Sequence, residues 1–270
     1  MKTLRDRVAV ITGAGGGLGT ALAVEFASRG CHLALCDISE EALTRCADRA
    51  ANSGVQVSTH VVDVSDGARM TELPGQITAI HRRIDLLVNN AGITLQKQFT
   101  THSIADWQRM IGINLWGVIH GCHFFYEELC RSGDAHVVNL SSMAAFVGLP
   151  SQSSYCATKS GIQGLSEALW AEWAVDGIGV TSVHPGAIRT EMIQATLAES
   201  DDPRTAQRNY ELAQRMGVDA EHAARKIVTA ILKGRMRVRI GKDAVLMDWL
   251  KRVWPGAIHR VLRRVARGQA

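Results

Sequence analysis

Paired cysteines are missing from this 270-residue chain: its six, at positions 31, 36, 46, 122, 130 and 156, form no Cys-x-x-Cys and no Cys/His grouping at metal-ligand spacing. That argues against a disulfide framework and a structural zinc site, and reduced, buried thiols are expected. No apolar run reaches the roughly 20 residues of a membrane span. The N-terminal "MKTLRDRVAVITGAGG" enters an apolar strand with no secretory h-region or cleavage site, so a soluble, cytoplasmic protein is the expectation. Charge of one sign is also scarce, with a net value of +4 and the two signs mixed along most of the chain, which speaks against a nucleic-acid partner. His60, His81 and His102 stand without companions that would complete a metal site, so no metal is assigned. No repeat, low-complexity tract or linker breaks the chain, and with 46% hydrophobic residues it can bury one sizeable core, so residues 1–270 are read as a single domain.

What the chain does contain is a regular alternation. The short apolar runs "VAVIT", "HLALC", "VSTHVV", "DLLVNN", "HVVNL", "VTSVH" and "RVRI" are separated by segments long enough for a helix. Strand and helix in that order predict an α/β fold, doubly wound and Rossmann-type: a mainly parallel seven-stranded sheet with helices on both faces. The least regular stretch, 189–216, contains "ESDDPRT" and reads as a mobile loop at the carboxyl end of the sheet, where open α/β folds bind ligands.

Directly after the first strand comes "TGAGGGLG", Thr12 to Gly19, and then a helix. The glycines allow a tight turn and close approach of a ligand, and the helix N-terminus offers free N–H groups to a pyrophosphate. The turn matches neither G-x-G-x-x-G nor a P-loop. The second strand ends at Asp37, followed by Ile38 and Ser39. A carboxylate there accepts hydrogen bonds from the ribose hydroxyls of an adenosine and repels a 2′-phosphate, which favours NAD over NADP. Asp37 is also suited to capping the next helix.

Further on, "SSYCATKSG" sets Tyr155 and Lys159 four residues apart, on one face of a helix. A lysine beside a phenol favours the phenolate, lowers the tyrosine pKa and makes it a general acid or base. The pattern is short and common, and alone it reads more readily as a packed tyrosine followed by a solvated lysine.

Taken in order, "TGAGGGLG", "NNAG" (Asn89 to Gly92), "NLSS" (Asn139 to Ser142), "YCATK" and "HPG" resemble the short-chain dehydrogenase/reductase family over nearly the whole chain. The family's turn, T-G-x-x-x-G-x-G, is met by Thr12, Gly13, Gly17 and Gly19. The resemblance implies Tyr155 as general acid/base, Ser142 bonding the substrate oxygen, and Lys159 holding the nicotinamide ribose while lowering the tyrosine pKa. It implies Asn114 as holder of a relay water, although a helix-interior asparagine can also simply bond to backbone. Ser141 is expected to point into the core. Implied cofactor contacts are Gly13, Gly17, Leu18, Gly19, Asp37, Ile38, Asp63, Val64, Asn90, Ala91, Gly92, Tyr155, Lys159, Pro185, Gly186, Ile188 and Thr190.

The implied activity is NAD(H)-dependent interconversion of a secondary alcohol and a ketone. An NADPH-dependent carbonyl reductase, an isomerase or dehydratase on the same fold, and a catalytically silent dinucleotide-binding regulator are the alternatives. Met143, Phe146, Leu149 and Gln152 are candidates for the substrate wall and Met192 for its lid, which favours an apolar or medium-sized alcohol or ketone. The resemblance also implies a homodimer or homotetramer, with Trp170 and Trp173 as candidate interface residues. Finally, residues 244–267 form a basic amphipathic extension: Leu246, Trp249, Leu250, Val253, Trp254, Ile258, Val261, Leu262 and Val265 make a stripe opposite Lys251, Arg252, Arg260, Arg263, Arg264 and Arg267. Packing of that stripe on the subunit or across an oligomer interface is the favoured reading, and peripheral contact with an anionic membrane or a partner is the alternative.

Overall fold

The computed structural model describes residues 1–51, 53–190, 192–195 and 197–267, with backbone only for residues 193, 195, 198 and 265–267. Val265 of the apolar stripe and Arg267 of the basic face therefore lie outside the described side chains. Seven strands form one sheet: β1 (Val8–Thr12), β2 (His32–Asp37), β3 (Val57–Val61), β4 (Leu86–Asn89), β5 (Ala135–Leu140), β6 (Ile178–Pro185) and, after a short pair made by β7 (Ile188–Arg189) and β8 (Val218–Asp219), β9 (Arg237–Ile240). Their order is β3-β2-β1-β4-β5-β6-β9, and every neighbouring pair is parallel. The apolar runs read as strands because a parallel sheet is covered on both faces.

Alternation along each strand divides the core in two. Ile11, Leu33, Leu35 and Val88 face one side, against Leu22 and Phe26 of α1 (Gly17–Ala27), Leu43 of α2 (Glu40–Ala51), and Ile227 and Ile231 of α9 (Ala220–Leu232). Val10, Ala34, Leu87 and Val137 face the other, against Met70 and Ile77 of α3 (Gly67–His81), Phe125 of α5 (Gly117–Ser132), and Ile162 of α6 (Ser153–Glu172). All six cysteines are free thiols. Burial pushes the Cys122 thiol up to about 12, so it is unreactive.

One expectation is corrected. Residues 189–216 are largely helical: α7 (Met192–Ala195), a 3-10 turn at Leu197–Glu199, and α8 (Pro203–Met216). Helix α8 starts as a helix should, with the Asp202 carboxylate accepting from Thr205 N at 3.1 Å and Pro203 in its first turn. The Asp-Pro that read as a loop is its cap.

At the C-terminal end, α10 (Lys242–Val253) and α11 (Pro255–Arg267) pack one side of their stripe on the subunit. Ile258 is buried with Phe146 and Val147, and Met247, Leu250 and Leu262 rest on that cluster. The other side, including Leu246, Trp249 and Trp254, is exposed. Trp173 is a core residue against Tyr126, whereas Trp170 is exposed.

Candidate active site

The sheet order reverses between β1 and β4, and the crevice above that point is where open α/β folds hold ligands. A cleft of about 410 Å³ lies there, lined by Gly13, Gly17, Leu18, Gly19, Asp37, Ile38, Asp63, Val64, Asn90, Ala91, Gly92 and Thr190. Twelve of the cofactor positions expected from the sequence thus share one cavity wall. Pro185, Gly186, Ile188, Tyr155 and Lys159 are not among its lining residues; the first three belong to the end of β6, the turn after it and β7, which lead to Thr190.

The floor of the cleft is the glycine turn. Gly13 has φ of 63°, and the Asn90 amide donates to both Thr12 O and Gly13 O at 2.9 Å, which ties the turn to the end of β4. A Cβ at Gly19 would run into Gly13 O, and one at Gly17 would come to 3.1 Å from the Thr190 methyl. No side chain caps the N-terminus of α1, so its first-turn N–H groups are left for a ligand. Asp37 stands at the tip of β2, accepting from Gly15 N at 2.9 Å and Ser39 N at 3.1 Å. Asp63 accepts from Ser65 N at 2.8 Å beside Val64. These features fit a dinucleotide: the free N–H donors would hold a pyrophosphate, and the Asp37 carboxylate would accept from a ribose.

Ser142, Tyr155 and Lys159 come together where β5 ends and α6 begins. Ser142 Oγ accepts from Ala144 N at 3.1 Å, which fixes its rotamer and leaves its proton for another acceptor. Ser141 turns inward and donates to Lys159 O at 2.8 Å. Lys159 is buried, with Nζ donating to Leu140 O at 2.8 Å and lying 5.6 Å from the Tyr155 ring centroid. Burial pulls this ammonium down to about 8. The half-buried Tyr155 phenol is pushed up by burial, with the Ser142 hydroxyl pulling the other way. This differs from the lowering expected of a lysine neighbour: desolvation is the largest influence on the phenol.

Asn114 sits in a π-helical turn, Gly112–Trp116, between α4 (Ile104–Ile111) and α5. Such turns recur at functional positions because the extra residue swings a side chain out of register. Its amide pairs with both backbone groups of Ile93, at 2.8 and 2.9 Å, and so holds the segment after β4. The space above Gly92 is shared: a Cβ there would be 3.2 Å from Asn114 Oδ1 and 3.4 Å from Lys159 Nζ.

The substrate positions separate. Met192 lines the cleft. Phe146 does not face it: the ring is 7% exposed, stacked on His184 at 4.5 Å and overlain by Arg237, with Met143 and Leu149 packed on the same cluster. The C-terminal helices claim that surface, which is why an apolar run beside the serine reads as a pocket wall. Gln152 precedes α6 with its side chain half-buried. Missing from the sequence reading are Ile93, Ile113, Arg109 and Glu199, which also line the cleft. Arg109 and Glu199 pair at 3.0 Å, joining α4 to the segment after α7, and nothing in a local motif marks a contact between residues so far apart. His184 was also missed: it is buried, its Nδ1–H donates to Ser142 O at 3.2 Å, and it is held down to about 4 mainly by burial, so it stays neutral.

Comparison with known proteins agrees with this arrangement. The profile of the short chain dehydrogenase family matches residues 7–201. SadH, an oxidoreductase of Mycobacterium tuberculosis, is 33% identical over 266 residues, covering 97% of this chain and 96% of that one. Levodione reductase of Leifsonia aquatica is 36% identical over 211 residues, or 76% of this chain and 79% of that one. The crystal structure of a short chain dehydrogenase/reductase from Burkholderia phymatum in complex with NAD superposes with a TM-score of 0.87 at 29% identity, covering 93% of this chain and 95% of that one. With its seven-stranded parallel sheet and these relatives, the chain belongs to the short-chain dehydrogenase family, oxidoreductases that use a nicotinamide dinucleotide and act on CH–OH groups.

Proposed function

We propose that the chain interconverts a secondary alcohol and a ketone with NAD(H), and that Tyr155 is the general acid/base. The observation that carries this reading is the convergence of Ser142, Tyr155 and Lys159, with Lys159 Nζ 3.4 Å from where a Cβ on Gly92 would stand, Gly92 lining the same cleft as Asp37. Bound nicotinamide dinucleotide supplies or accepts the hydride. In alcohol oxidation the deprotonated Tyr155 Oη would take the hydroxyl proton as hydride leaves the carbinol carbon for the nicotinamide, and in reduction the Tyr155 phenol would give that proton back to the substrate oxygen. Ser142 donates a hydrogen bond to the same substrate oxygen and stabilises the charge developing there. Lys159 keeps two N–H donors beyond the one given to Leu140 O, for the cofactor ribose and for a water shared with Asn114 above Gly92. The Asp37 carboxylate favours NAD over NADP by accepting from ribose hydroxyls and repelling a phosphate, and the NAD-bound Burkholderia relative supports that choice. Ile93, Ile113 and Met192 in the cleft lining, together with a relative that is a levodione reductase, support an apolar or medium-sized substrate.

The test is a fluorescence titration with NADH and NADPH, then turnover of a panel of cyclic, aliphatic and polyol alcohols by the wild type and Tyr155→Phe. Tighter NADH binding, turnover of cyclic or aliphatic alcohols, and loss of turnover in the variant with NADH binding kept are expected. A Tyr155→Phe protein with full activity would overturn the mechanism, and faster oxidation of polyols would overturn the substrate class.

A further inference from the structure

The C-terminal helices leave an apolar face outside the subunit, and its surroundings are basic. Val245, Trp249 and Val253 follow one another at four-residue spacing along α10, with Leu246 beside them, all at or near half exposure. Trp254, 59% exposed, extends the strip around the bend into α11, its ring 6.1 Å from that of Trp249. The α10 part of this strip forms one wall of an open groove of about 590 Å³. The opposite wall comes from α9 and β9, through His222, Lys226 and Arg239, and Lys242 stands at the N-terminal end of α10.

The acids that would neutralise this side are committed elsewhere. Asp248 is buried against Arg239 and Arg252, each at 2.9 Å. Asp243 accepts from Ala187 N at 2.8 Å, and Asp219 pairs with Arg189. Lys226 and Lys242 have no ion-pair partner among the described residues; Glu221 is the uncommitted acid nearest in sequence. The charged residues of α11 are all basic, and Arg260, Arg263 and Arg264 are exposed.

We infer that this face docks on a phospholipid bilayer carrying anionic head groups. Exposed tryptophans settle at the head-group level, apolar side chains enter the acyl boundary, and each basic residue near an anionic surface adds to the attraction. A second copy of the chain is the poorer occupant, because a two-fold contact would bring Lys226, Arg239 and Lys242 against the same residues of the other copy. No described helix is long and apolar enough to cross the bilayer, so the contact is peripheral. Groove-lining Val218 pairs with Ile188 in the turn that leads to Thr190, which puts the docked face one strand away from the nicotinamide end.

The test is flotation of the full chain with vesicles of phosphatidylglycerol or of phosphatidylcholine at about 0.15 M salt, where surface charges still act over ~8 Å. Wild type is expected to float with the anionic vesicles only. Lys226→Ala/Lys242→Ala should partition roughly thirtyfold more weakly, and Trp249→Ser/Trp254→Ser should lose flotation, both with NADH binding unchanged. No flotation of the wild type, or equal flotation of wild type and variants, would overturn the inference. So would light scattering that finds a wild-type oligomer and a smaller species for the tryptophan variant, since the face would then join copies.

Discussion

Asp243 is the test of how the C-terminal helices serve the site. Its carboxylate takes the Ala187 N–H at 2.8 Å, in a turn whose neighbours are also anchored: Gly186 N donates to Ile240 O at 2.8 Å, and Val218 N to Ala187 O at 2.9 Å. Asp243→Ala removes one charge-assisted bond, worth about 1.5–3 kcal/mol when its partner is left dry. Ala187 is half-buried, so water recovers part, and about 1–2 kcal/mol is the expected loss. At about 1.4 kcal/mol per factor of ten, turnover should fall roughly 5- to 30-fold. The loss belongs to the nicotinamide end alone. ADP-ribose, which needs only the glycine turn and Asp37, should bind within about twofold of wild type, because the perturbed bond is remote from both. Asp243→Asn, whose amide oxygen still accepts, should recover most of the activity. Steady-state kinetics and ADP-ribose titration on the three proteins decide the matter. Wild-type turnover in Asp243→Ala would refute the argument, and an equal loss of ADP-ribose binding would show a general loosening instead.

Ketone reduction needs the Tyr155 phenol and the Lys159 ammonium both protonated. Because burial pushes the first up and pulls the second down to about 8, the reduction rate should be level below pH 8 and fall above it; a rate that climbs through that range would refute the assignment. Replacing Asp37 with Ser and Ile38 with Arg should reverse the cofactor preference, since a carboxylate about 4 Å from a phosphate charge is opposed by about 4 kcal/mol at an effective dielectric of 20; NADPH titration that stays as weak as in wild type would count against the ribose role. Lys159→Met should abolish turnover yet melt at or above the wild-type temperature at pH 7. Between about 8 and the ordinary lysine value the folded chain binds fewer protons than the unfolded one, so stability rises with pH there and burial of the charge is a cost below it. Calorimetry showing a fall of several degrees would contradict that.

The fold was legible because most of the apolar runs lie inside a parallel sheet with both faces covered, the edge strands β3 and β9 being partly exposed, and such runs announce themselves whatever surrounds them. The cleft was legible for a similar reason: the glycine turn, Asp37 and the segment after β4 are local stretches at strand ends, and topology alone brings them together. What stayed hidden depends on pairs distant in the chain. Phe146 looked like a pocket wall because nothing nearby announces that Ile258 covers it. The pairing of Arg109 with Glu199 joins two segments with no shared motif. The Tyr155 pKa went astray because four-residue spacing reveals a neighbouring charge but not the depth of burial around it.

The order in which the chain supplies its parts has a consequence for synthesis. The part of the cleft proposed to receive the adenosine half comes from residues up to Gly92, and the strands it needs, β1, β2 and β4, are side by side in the first third of the chain. The turn opposite waits for Ile240 and Asp243. At about 5–20 residues per second, the roughly 150 residues between them take on the order of ten to thirty seconds to translate. During that interval, on the cofactor assignment proposed above, a growing chain would hold the parts that grip a nucleotide before those that turn one over, and early cofactor capture would steady the half-made sheet.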